Sequence, residues 1–318
     1  MPDFTVAICT FRRADVLPVT LDSLTRIEQP DASWELLIVD NDCDPAVEQI
    51  VKQFEGKLPI RYTSESQTGI ARARNKAVME TRSPFILFAD DDVLFDPHWL
   101  VNMTKAVTVH SDCDFWGGRI DPTFEAPPPP WFDMEICPMM GDAIVRYDSG
   151  GEPRYWDPSK DPPFYTCNLG LRVDTVRKAG MFNETMGHMG KKRGTGEDTW
   201  MIKSISRAGG KGWYAADALL HHPVPPQRMT RSFLRAFAWR QGCIGVEMIV
   251  RELHPQGEPV GRPPRWLFRL AGEQLFRGMG QWLGGLFTLS RARLFAGQFR
   301  TLFNLSKIKH GLTGRYDR

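Results

Sequence analysis

Three consecutive carboxylates stand directly behind an apolar run in Phe85-Ile-Leu-Phe-Ala-Asp90-Asp91-Asp92, and this junction constrains the fold more than any other feature of the chain. An apolar run without alternation reads as a strand buried on both faces, and such strands belong to parallel sheets covered by helices. The rest of the first ninety residues agrees. Strand-like runs at 4–9, 34–39, 60–62 and 84–89 alternate with helix-spaced stretches at 15–24, 46–54 and 69–80. The order βαβαβαβ predicts an α/β fold. In sheets of this kind ligands bind at the carboxyl ends of the strands, so the polar residues immediately behind each run are the candidates for chemistry.

Uncompensated, three adjacent carboxylates repel. A divalent cation would neutralise them, and hard oxygen donors suit Mg²⁺ or Mn²⁺, which complete their shells with phosphate oxygens. The bland alternative is a solvated acidic turn or a helix start favoured by the dipole. Three further segments carry chemistry-bearing residues. Gly194-Thr-Gly196-Glu197-Asp198 follows the basic run Lys191-Lys192-Arg193 and could hold a general base, or be an ordinary acidic helix start. Leu219-Leu220-His221-His222-Pro could supply an imidazole ligand, or be a surface histidine pair before a turn. Gly69-Ile-Ala-Arg72-Ala-Arg74-Asn75 opens a helix with arginines suited to phosphate. No P-loop and no GxGxxG loop is present, which argues against an NTPase or a dehydrogenase.

Composition narrows the class. With 42% hydrophobic and 25% charged residues over 318 positions, the chain can bury a core without staples, and disorder is excluded. Six cysteines without a CxxC pair argue against a zinc ribbon and for free thiols, mostly buried, in a reducing compartment. The N-terminus carries no recognisable secretory signal, and the longest uncharged stretch, 278–290, is too short and polar to span a bilayer. A cytoplasmic location is expected. The whole-chain charge of +2 does not predict a nucleic-acid partner, but it is unevenly placed. Residues 262–318 hold eleven Lys/Arg against two Asp/Glu, a local +9 that leaves residues 1–261 at −7. Large apolar residues recur there at three- and four-residue steps between the arginines, the pattern of amphipathic helices on an anionic membrane surface, or of helices packed on the protein. Two parts are expected: a catalytic domain over 1–230 and a basic helical region over 231–318. Between them, residues 121–163 are rich in Pro, Asp and aromatics and read as long loops. Trp131 and Trp156 there could face sugar rings or anchor small cores.

Taken in order, Cys9-Thr10-Phe11-Arg12, Ile38-Val39-Asp40-Asn41, Ala73-Arg74-Asn75, Asp90-Asp91-Asp92, Gly180-Met-Phe182-Asn-Glu184 and Gly196-Glu197-Asp198 resemble a family 2 glycosyltransferase of the GT-A fold, over about residues 4–230. Tyr165-Thr-Cys-Asn168 and His221-His-Pro-Val-Pro narrow the resemblance to bacterial exopolysaccharide glycosyltransferases. The resemblance implies a nucleotide-sugar donor, a saccharide or lipid-linked acceptor and Mn²⁺ or Mg²⁺. It implies that Thr10, Arg12, Asp40, Arg74 and Asp91 bind the nucleotide sugar, with Asp90 reaching the ribose or a metal-bound water. It makes Asp92 and His221 metal ligands and turns Asn168 toward the donor sugar. Asp198 becomes the catalytic base, with Glu197 placing the acceptor. Cys9 and Asp40-Asn-Asp-Cys43 depart from the family's usual residues near the base slot. Two other readings remain: a non-catalytic module of this fold that docks on a membrane assembly, and a metal-dependent nucleotidyltransferase. The first needs no base, and the second needs none a hundred residues behind the carboxylate triplet.

Overall fold

The computed structural model of the protein describes residues 1–190, 194–253 and 263–314. The basic run Lys191-Lys192-Arg193 and the tail arginines 262, 315 and 318 lie outside the described residues. The strands are β1 (Phe4–Thr10), β2 (Trp34–Asp40), β3 (Ile60–Ser64), β4 (Phe85–Asp90), β5 (Leu94–Phe95), β6 (Phe115–Phe124), β7 (Arg154–Tyr155), β8 (Asn168–Arg172) and β9 (Gly212–Val224). The helices are α1 (Leu17–Leu24), α2 (Pro45–Phe54), α3 (Ile70–Glu80), α4 (Trp99–Val109), α5 (Met139–Asp142), α6 (Val173–Lys178), α7 (Glu197–Arg207), α8 (Arg231–Leu253), α9 (Arg265–Phe287) and α10 (Arg291–Thr313). Two compact units emerge. One comprises residues 1–123 with 145–223, the other 124–144 with 224–318.

The first unit is built on a mixed sheet in the order β3-β2-β1-β4-β8-β6-β9-β5, with β7 beside β9. The four strands expected from the apolar runs are its parallel half. Val6–Ile8, Leu36–Val39 and Ile86–Leu87 are fully buried, as a sheet covered on both faces requires. Local signals set the helices between them. Asp44 caps α2 by accepting from the Ala46 amide at 2.9 Å, Pro45 occupies the first turn, and Val47, Val51 and Phe54 form the buried stripe. Beyond β4 the sheet turns antiparallel, with β4 against β8 and β5 against β9. The parallel register puts Thr10 level with Asp40, and Cys9 level with Asp90. The carboxyl ends of β1, β2 and β4 therefore form one edge.

The 121–163 segment is divided between the units. Trp156 is buried against Phe115, donates its indole N–H to the Pro162 carbonyl, and belongs to the first core. Trp131 packs 4.5 Å from Phe295 in the second unit, whose core joins Cys137, Met140, Leu234, Ala238 and Phe299. Both tryptophans are core anchors. All six cysteines are free and four are buried, whereas Cys43 is exposed on the loop behind β2. Among the described residues no helix is long and apolar enough to cross a membrane.

Candidate active site

The edge formed by β1, β2 and β4 carries most of the expected residues, and each strand end delivers them in a different way. Behind β4 the three carboxylates diverge. Asp91 turns inward, is 5% exposed, and accepts from the Thr10 hydroxyl at 2.7 Å and from Arg13 at 2.8 Å. Its carbonyl takes the Thr20 hydroxyl. Thr10 and Asp91 are thus bound to each other in the floor of the site. Asp92 is half-buried and also accepts from Arg13, at 2.8 Å. One guanidinium therefore bridges two of the three carboxylates and offsets part of their charge. Arg13 was not singled out in the sequence, where only the general need for a positive charge beside the triplet pointed to it. Arg12, which was, lies two-thirds exposed, paired with Asp42 and stacked over Phe11.

Asp40 is fully buried and accepts from the amides of Asp42 (2.9 Å) and Asp44 (2.6 Å) and from the Tyr62 hydroxyl (3.0 Å). It shapes the loop behind β2. Asn41 beside it accepts from the Gly69 amide and donates to the Glu65 and Gln67 carbonyls, so the same loop holds the start of α3.

The decisive contact crosses the chain. Arg74, 6% exposed on α3, sits 2.5 Å from Glu197 and 3.8 Å from Asp90. It joins the carboxylate triplet of β4 to the Glu-Asp pair that opens α7. Gly196 precedes that pair with φ 102°, a left-handed turn that favours glycine. Glu197 and Asp198 then occupy the first turn of α7, where the helix dipole favours negative charge. Glu197 is 7% exposed, and its second carboxylate oxygen has no hydrogen-bond partner among the described residues. Gly187, at φ 82°, leaves room for that oxygen: a Cβ there would lie 2.9 Å from it. Burial and the neighbouring Glu197 charge raise the Asp198 carboxyl to about 6, against the opposing pull of Arg74. Desolvation likewise raises Asp90 to about 7, with Arg74 again opposing. Asn75 completes the junction by clamping Phe182, donating to its carbonyl at 3.0 Å and accepting from its amide at 2.8 Å.

Two expected roles do not match the geometry. Along β9 side chains alternate between faces. The pairing of β5 with β9 brings His222, buried, to 3.7 Å from Asp92, and sends His221 to the other side of the strand. The imidazole beside the triplet is His222, not His221. Asn168 does not face a ligand either. It is 1% exposed, accepts from the Trp99 indole at 2.9 Å, and donates to the Arg119 and Ala218 carbonyls at 2.9 and 2.8 Å. Its amide knits β8 to its neighbours, in space left by Gly118. A side chain with three internal hydrogen bonds is a structural pin.

The Asp92 carboxylate suits Mn²⁺ or Mg²⁺ with phosphate oxygens, and the His222 imidazole favours Mn²⁺ of the two. Among the described residues no group of three or more His, Cys, Asp or Glu is gathered as a metal site. Asp92 and His222 are the carboxylate and imidazole that approach each other at this edge, 3.7 Å apart.

Comparison with known proteins gives the family and the fold. The sequence model described as "Glycosyl transferase family 2" matches residues 5–174. "Succinoglycan biosynthesis protein ExoM" of Rhizobium meliloti is 25% identical over 275 residues, covering 84% of this chain and 80% of its own. Glycosyltransferase AglE of Haloferax volcanii is 26% identical, covering 71% and 68%. Among solved structures, the mannosyltransferase PcManGT from Pyrobaculum calidifontis, in complex with GDP-Man and Mn2+, superposes with TM-score 0.63 at 15% identity, covering 99% of this chain and 88% of that one. S. aureus TarS 1-349 in complex with UDP gives 0.53 at 15% identity, with 99% and 93% covered. The fold is GT-A, with a helical C-terminal region.

Proposed function

The chain belongs to glycosyl transferase family 2, and from that premise we infer that it is an inverting, metal-dependent transferase. It moves a sugar from a nucleoside-diphosphate sugar, a UDP-sugar, to a saccharide or lipid-linked acceptor in surface polysaccharide synthesis. The observation that carries this reading is the Arg74 bridge, which makes the β4 carboxylates and the α7 Glu-Asp pair parts of one site. The biosynthetic context is supported by the likeness to a succinoglycan biosynthesis protein.

Asp198 is the base. A carboxyl raised to about 6 is ionised at neutral pH yet basic enough to take the acceptor's hydroxyl proton. As that proton reaches Asp198, the acceptor oxygen bonds to the anomeric carbon from the face opposite the nucleotide. The bond from that carbon to the diphosphate oxygen breaks, and the nucleoside diphosphate leaves with the electron pair. Glu197, fixed by Arg74, places the acceptor beside Asp198. Asp90 approaches the ribose, and the Asp40 loop with Thr10 and Asp91 forms the wall against which the base lies. Asp92 and His222 would hold Mn²⁺ or Mg²⁺, which when bound offsets the negative charge building on the leaving diphosphate.

The test is release of nucleoside diphosphate from a panel of nucleotide sugars, with Mn²⁺ and with chelator. Asp198→Asn keeps the shape and removes the base, so turnover is expected to fall roughly 10²–10⁴-fold with donor affinity nearly unchanged. Full turnover in chelator would remove the metal from the reading. An active Asp198→Asn protein with a dead Glu197→Gln protein would transfer the base to Glu197. A chain that binds donor and never turns it over would be a binding module.

A further inference from the structure

The second unit contains a feature that sugar transfer does not use. A cavity of about 350 Å³ lies between α9 and α10, walled by Met139, Leu267, Leu270 and Phe303 and bearing two cations, Arg300 and Lys307. Neither cation has a carboxylate partner among the described residues. Arg300 donates to the Ile136 carbonyl at 2.9 Å. The Lys307 ammonium rests 4.3 Å over the Phe303 ring, and burial alone lowers its pKa. Both side chains are half-buried; a half-buried charge without a counter-ion carries part of the cost of desolvation, and a bound anion would offset it.

The helices around the cavity indicate where the anion comes from. Glycines bring α9 and α10 into close contact: a Cβ at Gly285 would lie 2.6 Å from the Leu294 amide, and one at Gly297 would lie 2.4 Å from the Trp282 amide. Small residues therefore make this helix pair, and apart from Leu267, which is buried, most large apolar residues of α9 point outward. Trp266, Leu270, Phe276, Leu283, Leu286 and Phe287 are all exposed, Phe276 at 73% and Phe287 at 88%. Arg265, Arg269 and Arg277 rim the same helix, whose single acid, Glu273, stands 3.8 Å from Arg269. A second copy of this chain would oppose one basic face to another, which is repulsive. An acidic lipid surface matches both the apolar stripe and the charge.

We propose that the cavity between α9 and α10 is a binding site for the phosphate headgroup of an acidic membrane phospholipid, with Arg300 and Lys307 as its anion seat and the outer face of α9 lying in the membrane interface. The site anchors the enzyme where a lipid-linked acceptor would be presented, but it does not depend on the transferase reading.

The experiment is co-sedimentation of the full chain with phosphatidylcholine vesicles made with and without phosphatidylglycerol. Binding is expected only with phosphatidylglycerol. Arg277→Gln, at the exposed rim, should weaken it about fivefold, the effect of one superficial charge, and Lys307→Gln by more than about tenfold. Phe287→Ser should weaken binding as well. Without vesicles, Lys307→Gln should melt at or above the wild-type temperature, since it removes a half-buried charge that has no carboxylate partner among the described residues. Equal losses from Lys307→Gln and Arg277→Gln would reduce the cavity to general electrostatics and overturn the site. So would a lower melting temperature for Lys307→Gln. Thermal stabilisation by inorganic phosphate without vesicle binding would leave an anion site and refute the lipid. Self-association of the free chain, abolished by Phe287→Ser, would make the α9 face a protein interface instead.

Discussion

Replacing Arg74 by methionine tests the contact on which the active site depends. Arg74 and Glu197 are both more than nine-tenths buried and meet at 2.5 Å, while Asp90 lies 3.8 Å from the other guanidinium nitrogen. Removing one partner of a buried pair leaves the other charge unpaired and costs about 3–5 kcal/mol. The sign of the pH dependence follows from the carboxyls that Arg74 faces. It opposes the effect of burial on Asp198 and Asp90, so in Arg74→Met both should rise above their values of about 6 and about 7. A carboxyl raised above its unfolded value favours the fold at low pH and loses that contribution as pH climbs through the raised value. The stability deficit of Arg74→Met should therefore be widest above pH 7 and shrink toward pH 4. Urea denaturation across that range reads the effect directly. The double variant Arg74→Met/Glu197→Gln should recover part of the loss, because the orphaned charge is gone. In the pH–rate profile, the acidic limb set by Asp198 should move to higher pH. A deficit below about 1 kcal/mol, the range of an exposed pair, or one that does not vary with pH, would refute the bridge as the element that joins the two carboxylate groups.

The two adjacent histidines provide an internal control. His222→Ala should weaken Mn²⁺-dependent donor binding, measured by titration calorimetry, and His221→Ala should leave it near wild type; the reverse order would return the ligand to His221. Asn168→Ala should act on stability rather than on the donor. It leaves the Trp99 indole and two buried carbonyls without their partner, at about 1–3 kcal/mol for each group left unsatisfied, and the donor KM of the folded fraction should not change. A raised KM at full stability would put Asn168 back beside the sugar.

Much of the architecture was legible before any coordinates. The parallel half of the sheet follows from apolar runs long enough to be strands and too uniform to be half-exposed. Its helices follow from caps and stripes such as Asp44-Pro45 with Val47, Val51 and Phe54. The carboxylate triplet and the Glu-Asp pair were recognisable as chemistry because charge of that density behind buried segments needs a reason. Their sharing of one site was not legible from spacing alone. Arg74 and Glu197 are 123 residues apart, and only the packing of α3 against the start of α7 makes them neighbours.

The sequence by itself determined the α/β class, the edge on which polar residues would gather, and the basic amphipathic tail, because these depend on local periodicity and charge. Tertiary structure decided which member of each adjacent pair is used. Strand alternation along β9 selects His222 over His221, and the loop behind β1 turns Arg13 inward and leaves Arg12 in solvent. It turned Asn168 into a pin, because its neighbours come from three other segments. In the tail it separated α10, which buries Phe295 and Phe299, from α9, which exposes Phe276 and Phe287. One-dimensional periodicity identifies a face. Which face meets protein and which meets solvent depends on where small residues let backbones approach, and that is a property of the packed pair.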